Sequence, residues 1–330
     1  FRPIKDPHFT AQLGFPTGVG ECFAFGGKIE IEKPMMTTGG GSTNAAVTFA
    51  RQGLAAAAII SIGKDEHGKA VLADLKKENV RPVVSYAPNL QTSYSTILLS
   101  ETGERTILVY RGASDYMGRV SSAHLKSRWG YIVPGAIPLE RMKSLAERFA
   151  TENMKLAINP SGYYIKLGAR ALAPILEKCS VVIMNREEAA SLTGVSYEDE
   201  RGIFQKMDEM IKGIAVMTDG PNGVTVSDGK NLYKAGIFKE QKLIDRTGAG
   251  DAFGSGFVAG LMSKETPSLI LPLSKGEEKV GDDIKYAIRL ASANATSVVE
   301  YIGAKEGILT RQRFENEDRW RELDIQISQI

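Results

Sequence analysis

The sequence predicts an α/β fold in which a mainly parallel central sheet is covered by helices on both faces. Three observations predict it. From about residue 55 onward, apolar strand-like runs alternate with stretches of helical periodicity, as is typical of βαβ units. Two glycine-rich turns each open a segment with apolar or small residues at helical spacing. Of the 330 residues, 43% are hydrophobic, which is enough material for a large core.

The predicted elements follow one another in a regular order. A strand over 57–62 precedes a helix over 68–78, and a strand over 131–133 precedes a helix over 139–150. The dipeptide at 222–223, Asn-Gly, predicts a hairpin because it accepts the positive φ angles of tight turns. The remaining predicted strands are 156–158, 181–184, 214–217 and 224–227, and a further helix is predicted over 284–299.

Two other stretches break this rhythm and predict hairpins. In the first, 21–25 and 28–32 flank a Gly-Gly pair with alternating apolar residues. In the second, 93–100 and 105–110 flank a turn at Gly103. Towards the C-terminus, prolines and glycines predict a long surface loop over about 264–282, and a peripheral helix is predicted over 312–330.

Charge and residue usage exclude several classes of protein. Lys plus Arg (41) nearly balance Asp plus Glu (39), so nothing indicates nucleic acid as a partner. Three scattered histidines do not make a zinc site, and Cys22 and Cys179 do not make a disulfide framework. No apolar run approaches the roughly 20 residues of a membrane span, and the first residues lack the apolar core of a signal peptide. We therefore expect a cytoplasmic protein without a membrane partner.

The most informative segment is 245–257, where Asp251 directly follows the triplet Gly248, Ala249 and Gly250. A short strand is predicted before it, over 242–245, and a helix after it. Amide groups at a helix start favour an anion, and a carboxylate beside them suits proton removal during phosphoryl transfer. The alternative is an ordinary aspartate in the first turn of a helix. A phosphate loop of the GxxxxGK[ST] type is absent, and these glycines do not have the spacing of a dinucleotide fingerprint.

A second glycine-rich turn, 39–41, opens a helix that carries Asn44 and ends in Arg51-Gln52-Gly53. Together the two segments resemble the paired signatures of the PfkB (ribokinase-like) carbohydrate kinase family. In that family, Gly-Gly precedes an Asn and an Ala-rich helix ending in Arg-x-Gly, and the later signature is Asp-x-x-Gly-Ala-Gly-Asp-x-Phe. Intermediate landmarks agree, and the resemblance extends from about Gly20 to Gly307; these landmarks are 63–68, 158–160, 185–188 and 218–224.

The resemblance implies a single ribokinase-like three-layer domain over 1–330, with a small β-sheet lid formed by about 14–38 and 91–112. The lid closes over the sugar and often pairs with a second subunit, so a homodimer is expected; the alternative is a local β-extension without motion. The implied activity is transfer of the γ-phosphate of ATP to a small sugar. The alternatives are a nucleoside kinase of the same family, or a non-catalytic sugar- or nucleotide-binding relative.

The resemblance also implies roles for individual residues. Asp251 would be the general base, and Gly248, Ala249 and Gly250 would stabilise charge on the transferred phosphate. The implied contacts to substrate are Gly40, Gly41 and Asn44, and those to ATP are Asn185, Thr218, Gly220 and Asn294. For Asn44 and Asn294 the alternatives are a helix cap and a polar residue on a solvated face. Arg111 is a candidate for a substrate phosphate, or a solvated surface charge.

Two kinds of metal ion are implied. Glu188, with Asn185, would hold Mg²⁺ through water, or would only complement a helix dipole. A K⁺ site would use Asp245 and Thr247 together with backbone near Val298 and Gly303. Gly307 stands where some relatives carry a hydroxyl ligand, which leaves potassium dependence open. The family's first strand, with a sugar-binding Asp, is not evident near Asp6, where two prolines disfavour a strand.

Overall fold

A seven-stranded sheet organises the protein in the computed structural model. The structure describes residues 8–11, 19–22, 25–99, 105–116, 118, 126–265 and 277–330. The strands are β1 (His8–Ala11), β2 (Val19–Cys22), β3 (Ala57–Ile62), β4 (Arg81–Tyr86), β5 (Tyr94–Leu99), β6 (Arg105–Tyr110), β7 (Trp129–Ile132), β8 (Lys155–Ile158), β9 (Val181–Asn185), β10 (Ile214–Thr218), β11 (Val224–Ser227), β12 (Asn231–Ala235) and β13 (Ile325–Gln329). The helices are α1 (Gly41–Arg51), α2 (Glu66–Lys77), α3 (Leu139–Thr151), α4 (Gly162–Leu167), α5 (Ala169–Leu176), α6 (Arg186–Thr193), α7 (Glu200–Met210), α8 (Ala249–Glu265), α9 (Glu277–Val299) and α10 (Arg311–Asn316).

The large sheet has the order β13-β12-β11-β10-β9-β8-β7. Its half from β7 to β10 is parallel, and its half from β10 to β13 is antiparallel. Strands β3 and β4 pair in parallel in a sheet of their own. The predicted parallel βαβ core is therefore confirmed, and the predicted hairpin at Asn222-Gly223 joins β10 to β11.

Helices cover both faces of this sheet and make three layers. Alternate residues of each strand point to opposite sides, so one strand serves both cores. In β9, Val182 and Met184 pack with α3 to α7, whereas Val181 and Ile183 pack with α8 and α9. All four of these β9 side chains are at most 1% exposed, as expected of a strand buried on both faces.

Small residues bring α8 and α9 close together. A Cβ atom on Gly260 would lie 2.5 Å from the Cα atom of Ala287, and one on Gly256 would lie 3.0 Å from that of Ala291. The backbones of the two helices therefore approach more closely than larger side chains would allow. This packing fixes α8, which carries Asp251 in its first turn.

The two predicted hairpins have different outcomes. Strands β5 and β6 pair antiparallel, as predicted. The other prediction was wrong in its partner, because β2 pairs with the upstream strand β1 and residues 28–30 form no strand. Residues 14–18, 23–24 and 100–104 of the expected lid lie outside the described residues, and the lid itself stays a prediction.

Three segments near the C-terminal half differ from the prediction. Residues 242–245 are not a strand, because the N–H groups of Ile244 and Asp245 both bond to the Val299 carbonyl at the end of α9. Helix α9 begins at Glu277, so the end of the predicted 264–282 loop is helical, and its residues 266–276 lie outside the described part. The predicted peripheral helix is a short α10 followed by β13, which extends the main sheet.

The C-terminal segment is also not peripheral in its packing. Trp320 is fully buried, and its ring meets Phe238 edge-on with centroids 5.2 Å apart. Burial of an aromatic ring this large contributes strongly to core stability. Of the described helices, none has both the length and the apolar character needed to cross a membrane.

Candidate active site

The first glycine-rich turn places the start of α1 against the end of β7. Gly40 caps the helix with φ 102°, a conformation that glycine adopts without steric cost. Gly41 begins the helix, and a Cβ atom there would lie 2.5 Å from the Cγ1 atom of Val133. The Asn44 N–H donates to the Gly40 carbonyl at 2.9 Å, so the turn leads directly into a regular helix.

The second turn has the same design at the start of α8. Gly248 has φ 82°, and a Cβ atom on it would lie 2.5 Å from the Cβ atom of Ala304. Ala249 begins the helix, and its N–H donates to the Arg246 carbonyl over a long 3.3 Å. A Cβ atom on Gly250 would meet no atom within 4 Å, so this side of the turn faces open space. N–H groups of a first helical turn lack partners inside the helix and favour an anion there.

Asn44 and Asp251 bring the two turns together. Although they are 207 positions apart, the Asn44 Nδ2 atom donates to Asp251 Oδ2 at 2.8 Å. Burial raises the pKa of the Asp251 carboxyl above its ordinary value, and the hydrogen bond from Asn44 opposes that rise. Asn44 is 3% exposed, and its Oδ1 atom has no hydrogen-bond partner among the described residues. The pair therefore combines a carboxylate with an amide oxygen, Asn44 Oδ1, that can still accept a hydrogen bond.

Buried polar side chains join the first turns of α8 to the neighbouring helices α1 and α9. Ser255 Oγ lies 2.6 Å from the Asp251 carbonyl and 2.9 Å from Thr48 Oγ1 on α1. Asn294 is 0% exposed, and both ends of its amide are bonded: Nδ2 donates to the Ala252 carbonyl, and Oδ1 accepts from the Leu309 N–H, each at 2.8 Å. This position favours a role in joining α9 to α8 over the predicted contact of Asn294 with nucleotide.

Tyr131 lies beneath the first turns of α8. The space that a side chain at Gly254 would need is filled by the Tyr131 hydroxyl, which has no hydrogen-bond partner among the described residues. Burial, and next the charge of Asp251, raise the pKa of this phenol above its ordinary value. Phe49 holds the ring edge-on, with centroids 5.8 Å apart. The phenol therefore stays neutral beside the carboxylate.

The other three residues predicted to contact ATP lie at or just after the ends of two neighbouring parallel strands. Asn185 ends β9 and pairs in register with Thr218, which ends β10. Asn185 and Glu188 form a capping box at the start of α6, with reciprocal bonds of 2.8 and 3.0 Å. Burial raises the pKa of Glu188. Gly220, with φ 51°, begins the short 3₁₀ turn that follows β10.

Asp245, Thr247 and Gly303, which the family resemblance implies as a K⁺ site, lie together in the structure. Asp245 is 2% exposed, and its carboxylate accepts the N–H groups of Thr247 at 2.9 Å and Gly303 at 3.1 Å. The hydroxyls of Thr247 and Ser297 are buried, and neither has a hydrogen-bond partner in the described structure. These oxygen donors have the chemistry that a hard monovalent cation needs.

Gly307 explains why a side-chain ligand is missing from this group. A Cβ atom on Gly307 would overlap the Ser297 carbonyl and would lie 2.6 Å from the Cα atom of Val298. The backbone at the end of α9 therefore fills the place that a side chain at 307 would take. The Val298 carbonyl accepts the Tyr301 N–H at 3.1 Å, and the carbonyl of the next residue, Val299, accepts the Asp245 N–H at 3.2 Å.

Arg111 is not joined to the paired turns by any contact in the described residues. Its side chain is 63% exposed and lies 3.9 Å from Asp115. A loose, exposed ion pair of this kind contributes little to stability. The geometry therefore does not support the predicted contact of Arg111 with a substrate phosphate.

Comparison with known proteins identifies the family. The sequence profile described as pfkB family carbohydrate kinase matches residues 19–311, most of the chain. The protein belongs to the PfkB family of carbohydrate kinases. Helices α1 and α8, whose starts form the paired turns, both lie inside the matched range.

Individual members of the PfkB family are similar along most of their length. The ribokinase of Haemophilus influenzae is 28% identical over 318 residues, covering 94% of this chain and 92% of that protein. The cytidine kinase of Thermococcus kodakarensis is 28% identical over 238 residues, 70% of this chain and 81% of that one. The structure of Cryptococcus neoformans ribokinase with ADP superposes with a TM-score of 0.71 at 22% identity, covering 89% and 93% of the two chains, and confirms the fold.

Several residues around the paired turns carry no signal in the sequence. Tyr131 lies in a predicted strand where an aromatic residue is ordinary, and Ser255 lies inside a predicted helix. Lys305 lies in an irregular segment after α9, where a lone lysine is usually solvated. Only the three-dimensional arrangement shows that Tyr131 packs against Gly254, that Ser255 joins α8 to Thr48, and that Lys305 bonds to Thr38.

Proposed function

We propose that this protein transfers the γ-phosphate of ATP to a hydroxyl of a small sugar, with Asp251 as the general base. The observation that carries the proposal is the 2.8 Å contact between Asn44 and Asp251, which joins the two glycine-rich helix starts. An acceptor beside this pair would meet the free Asn44 Oδ1 atom and the Asp251 carboxylate together. Gly250, the residue before Asp251, faces open space.

The catalytic steps follow from these positions. Asp251 accepts the proton of the attacking hydroxyl, a task for which a carboxyl with a raised pKa is better suited than an ordinary one. The amide groups of Gly248, Ala249 and Gly250 stabilise the charge on the transferred phosphate, as oriented donors do in other enzymes. Asn44 orients the acceptor through its amide. Thr218 and Gly220, with Asn185, contact the phosphates of ATP.

The proposed Mg²⁺ and the proposed monovalent cation would each be held by oxygen ligands. Glu188 is the carboxylate that would hold Mg²⁺ through water, because one of its oxygens is used in the capping box and the other is left for this task. Bound Mg²⁺ neutralises phosphate charge and needs few protein ligands. A monovalent cation would be held by Asp245 and Thr247 with backbone near Val298 and Gly303, and it would order the Gly248 turn.

A homodimer through the β5–β6 sheet is part of the proposal. Leu108 and Val109 on β6 are each 58% exposed, and they are neighbours in sequence that point to opposite faces. A two-stranded ribbon with apolar residues on both faces is poorly stable alone. A second copy would cover one face while the other closes over the sugar.

A panel of acceptors tests the activity. We expect ADP to form when the protein is given ATP, Mg²⁺ and a free sugar, and less ADP with nucleosides or sugar phosphates. A nucleoside kinase is the second candidate, because the cytidine kinase among the relatives is also 28% identical, over a shorter stretch of 238 residues. Thermal shift identifies the ligand independently, since a ligand at 100 times its Kd adds about 2.7 kcal/mol of stability. Binding of sugar and ATP without ADP formation would show a non-catalytic relative.

The raised pKa of Asp251 predicts a specific pH dependence. The base is active when ionised, so kcat/KM should fall as the pH drops through a pKa above the ordinary aspartate value of about 3.9. Asn44→Leu removes the hydrogen bond that opposes the rise, so it should move this acid limb to still higher pH. Ser255→Ala removes contacts with the Asp251 carbonyl and with Thr48 Oγ1 but none with the Asp251 carboxylate, so it should leave the limb in place. An unmoved limb in Asn44→Leu would contradict the assignment of the base.

A further inference from the structure

Lys305 is a buried cation that the proposed chemistry does not use. The residue is 7% exposed, and its Nζ atom donates to Asp74 Oδ2 and to Thr38 Oγ1, each at 2.8 Å. The Thr38 hydroxyl in turn donates to Asp74, which closes a triangle of three polar groups. Burial lowers the pKa of Lys305, and the contact with Asp74 opposes that change. A buried ion pair is costly to desolvate, so its presence calls for a reason.

Two corners of this triangle lie beside the two glycine-rich turns of the site, and the third lies on α2. Thr38 immediately precedes the 39–41 turn at the start of α1. Asp74 is on α2. Lys305 directly follows Ala304, the residue against which Gly248 packs. The triangle therefore connects the turn assigned to the acceptor with the support of the turn assigned to the phosphate.

A separate set of contacts holds the backbone around Lys305. Arg51 Nη1 donates to the carbonyls of Lys305 at 2.9 Å and Ile308 at 2.8 Å, and Arg51 pairs with Glu78 at 2.7 Å. These bonds do not need the Lys305 ammonium. Loss of the ammonium should therefore weaken the hold on Thr38, which would keep only its bond to Asp74, while the segment 305–308 stays in place.

We propose that Lys305 is a positioning residue for phosphoryl transfer, which holds the 39–41 turn at a fixed distance from the Gly248 turn through Thr38. The proposal rests on the function proposed above. Its physical reason is that Asn44 and Asp251 must meet the acceptor with the geometry set by both turns. A displacement of about 1 Å at a reacting centre can cost about 10²-fold in rate.

Three variants test the positioning role. Thr38→Val removes one hydroxyl and leaves the Lys305–Asp74 pair, and it should lower kcat about tenfold, the order of one lost hydrogen bond. Lys305→Met should lower kcat about 10²-fold, and Lys305→Arg should restore part of that loss. The KM for ATP should stay near the wild-type value in all three. Arg313→Met is the matched control, because it breaks an ion pair between α10 and Glu317 that involves none of the three groups of the triangle.

Hydrogen exchange gives a readout that does not depend on activity. Peptides covering 37–44 should exchange faster in Thr38→Val and Lys305→Met, and at the wild-type rate in Arg313→Met. Unchanged exchange in that segment, or lower melting temperatures with wild-type kcat, would overturn the positioning role. If the wild type has no kinase activity with any acceptor, the function proposed above fails, and the exchange rates still decide whether Lys305 holds the turn.

Discussion

Asp251→Asn is expected to lower kcat by about 10²–10⁴-fold, the contribution of a positioned general base. The change keeps the size of the side chain and removes its ability to accept a proton. Asn at this position still offers an oxygen to Asn44 Nδ2, which Asp251 now accepts at 2.8 Å, so the two helix starts should stay together. Burial of the ionised Asp251 also costs free energy, as its raised pKa shows, so the variant should be at least as stable as the wild type.

The measurement is ADP formation with the best acceptor at saturating ATP, combined with a melting temperature. Asp199→Asn is a matched control, because Asp199 also lies at a helix start and its side chain accepts the Gly202 N–H at 2.9 Å. That control should keep both the wild-type kcat and the cap, since Asn caps helices as well as Asp does. Wild-type turnover in Asp251→Asn would remove Asp251 from the mechanism, whatever the melting temperatures are.

Much of the fold was predictable because strand and helix patterns are local. The parallel strands β7 to β10 and the helices between them follow hydrophobic periodicity, and the structure confirms them. The errors arise where the partner is distant in sequence. Residues 242–245 carry a strand-like apolar pattern, yet their N–H groups bond to the end of α9. The segment 325–329 forms a strand because the edge of β12 is available to it, which the local pattern does not reveal.

The candidate site shows the same division between local and distant information. The glycines at 40, 41, 248 and 250 are recognisable because a turn that opens a helix has a local signature. The resemblance implied separate roles for Asn44 and Asp251 at the substrate, whereas their direct contact depends on the packing of α1 on α8. The Lys305–Thr38–Asp74 triangle has no local signature, because its members are separated by 36 and 231 positions. The predicted roles of the individual site residues stay predictions.

Gly248→Ala is expected to damage both stability and activity. At φ 82° an alanine is strained, and strain of this kind costs about 1–3 kcal/mol. The new methyl would also lie 2.5 Å from the Cβ atom and 2.8 Å from the Cα atom of Ala304, so the turn or the 303–305 segment must move. Because the amides of this turn are assigned to the transferred phosphate, kcat should fall by about 10²–10³-fold, as when an oriented donor is lost.

Gly250→Ala separates the effect on activity from the effect on stability. Gly250 is within α8 and has no positive φ, and a methyl group on it would meet no atom within 4 Å. The fold should therefore be unchanged or stabilised by about 0.5–1 kcal/mol. The methyl would enter the open space that we assign to phosphate, so the KM for ATP should rise while the melting temperature does not fall. Wild-type kinetics in Gly250→Ala would show that phosphate does not occupy this space. A stable and fully active Gly248→Ala would show that the geometry of the turn is not needed, because the strain and the contact with Ala304 would then have been absorbed without moving the amides.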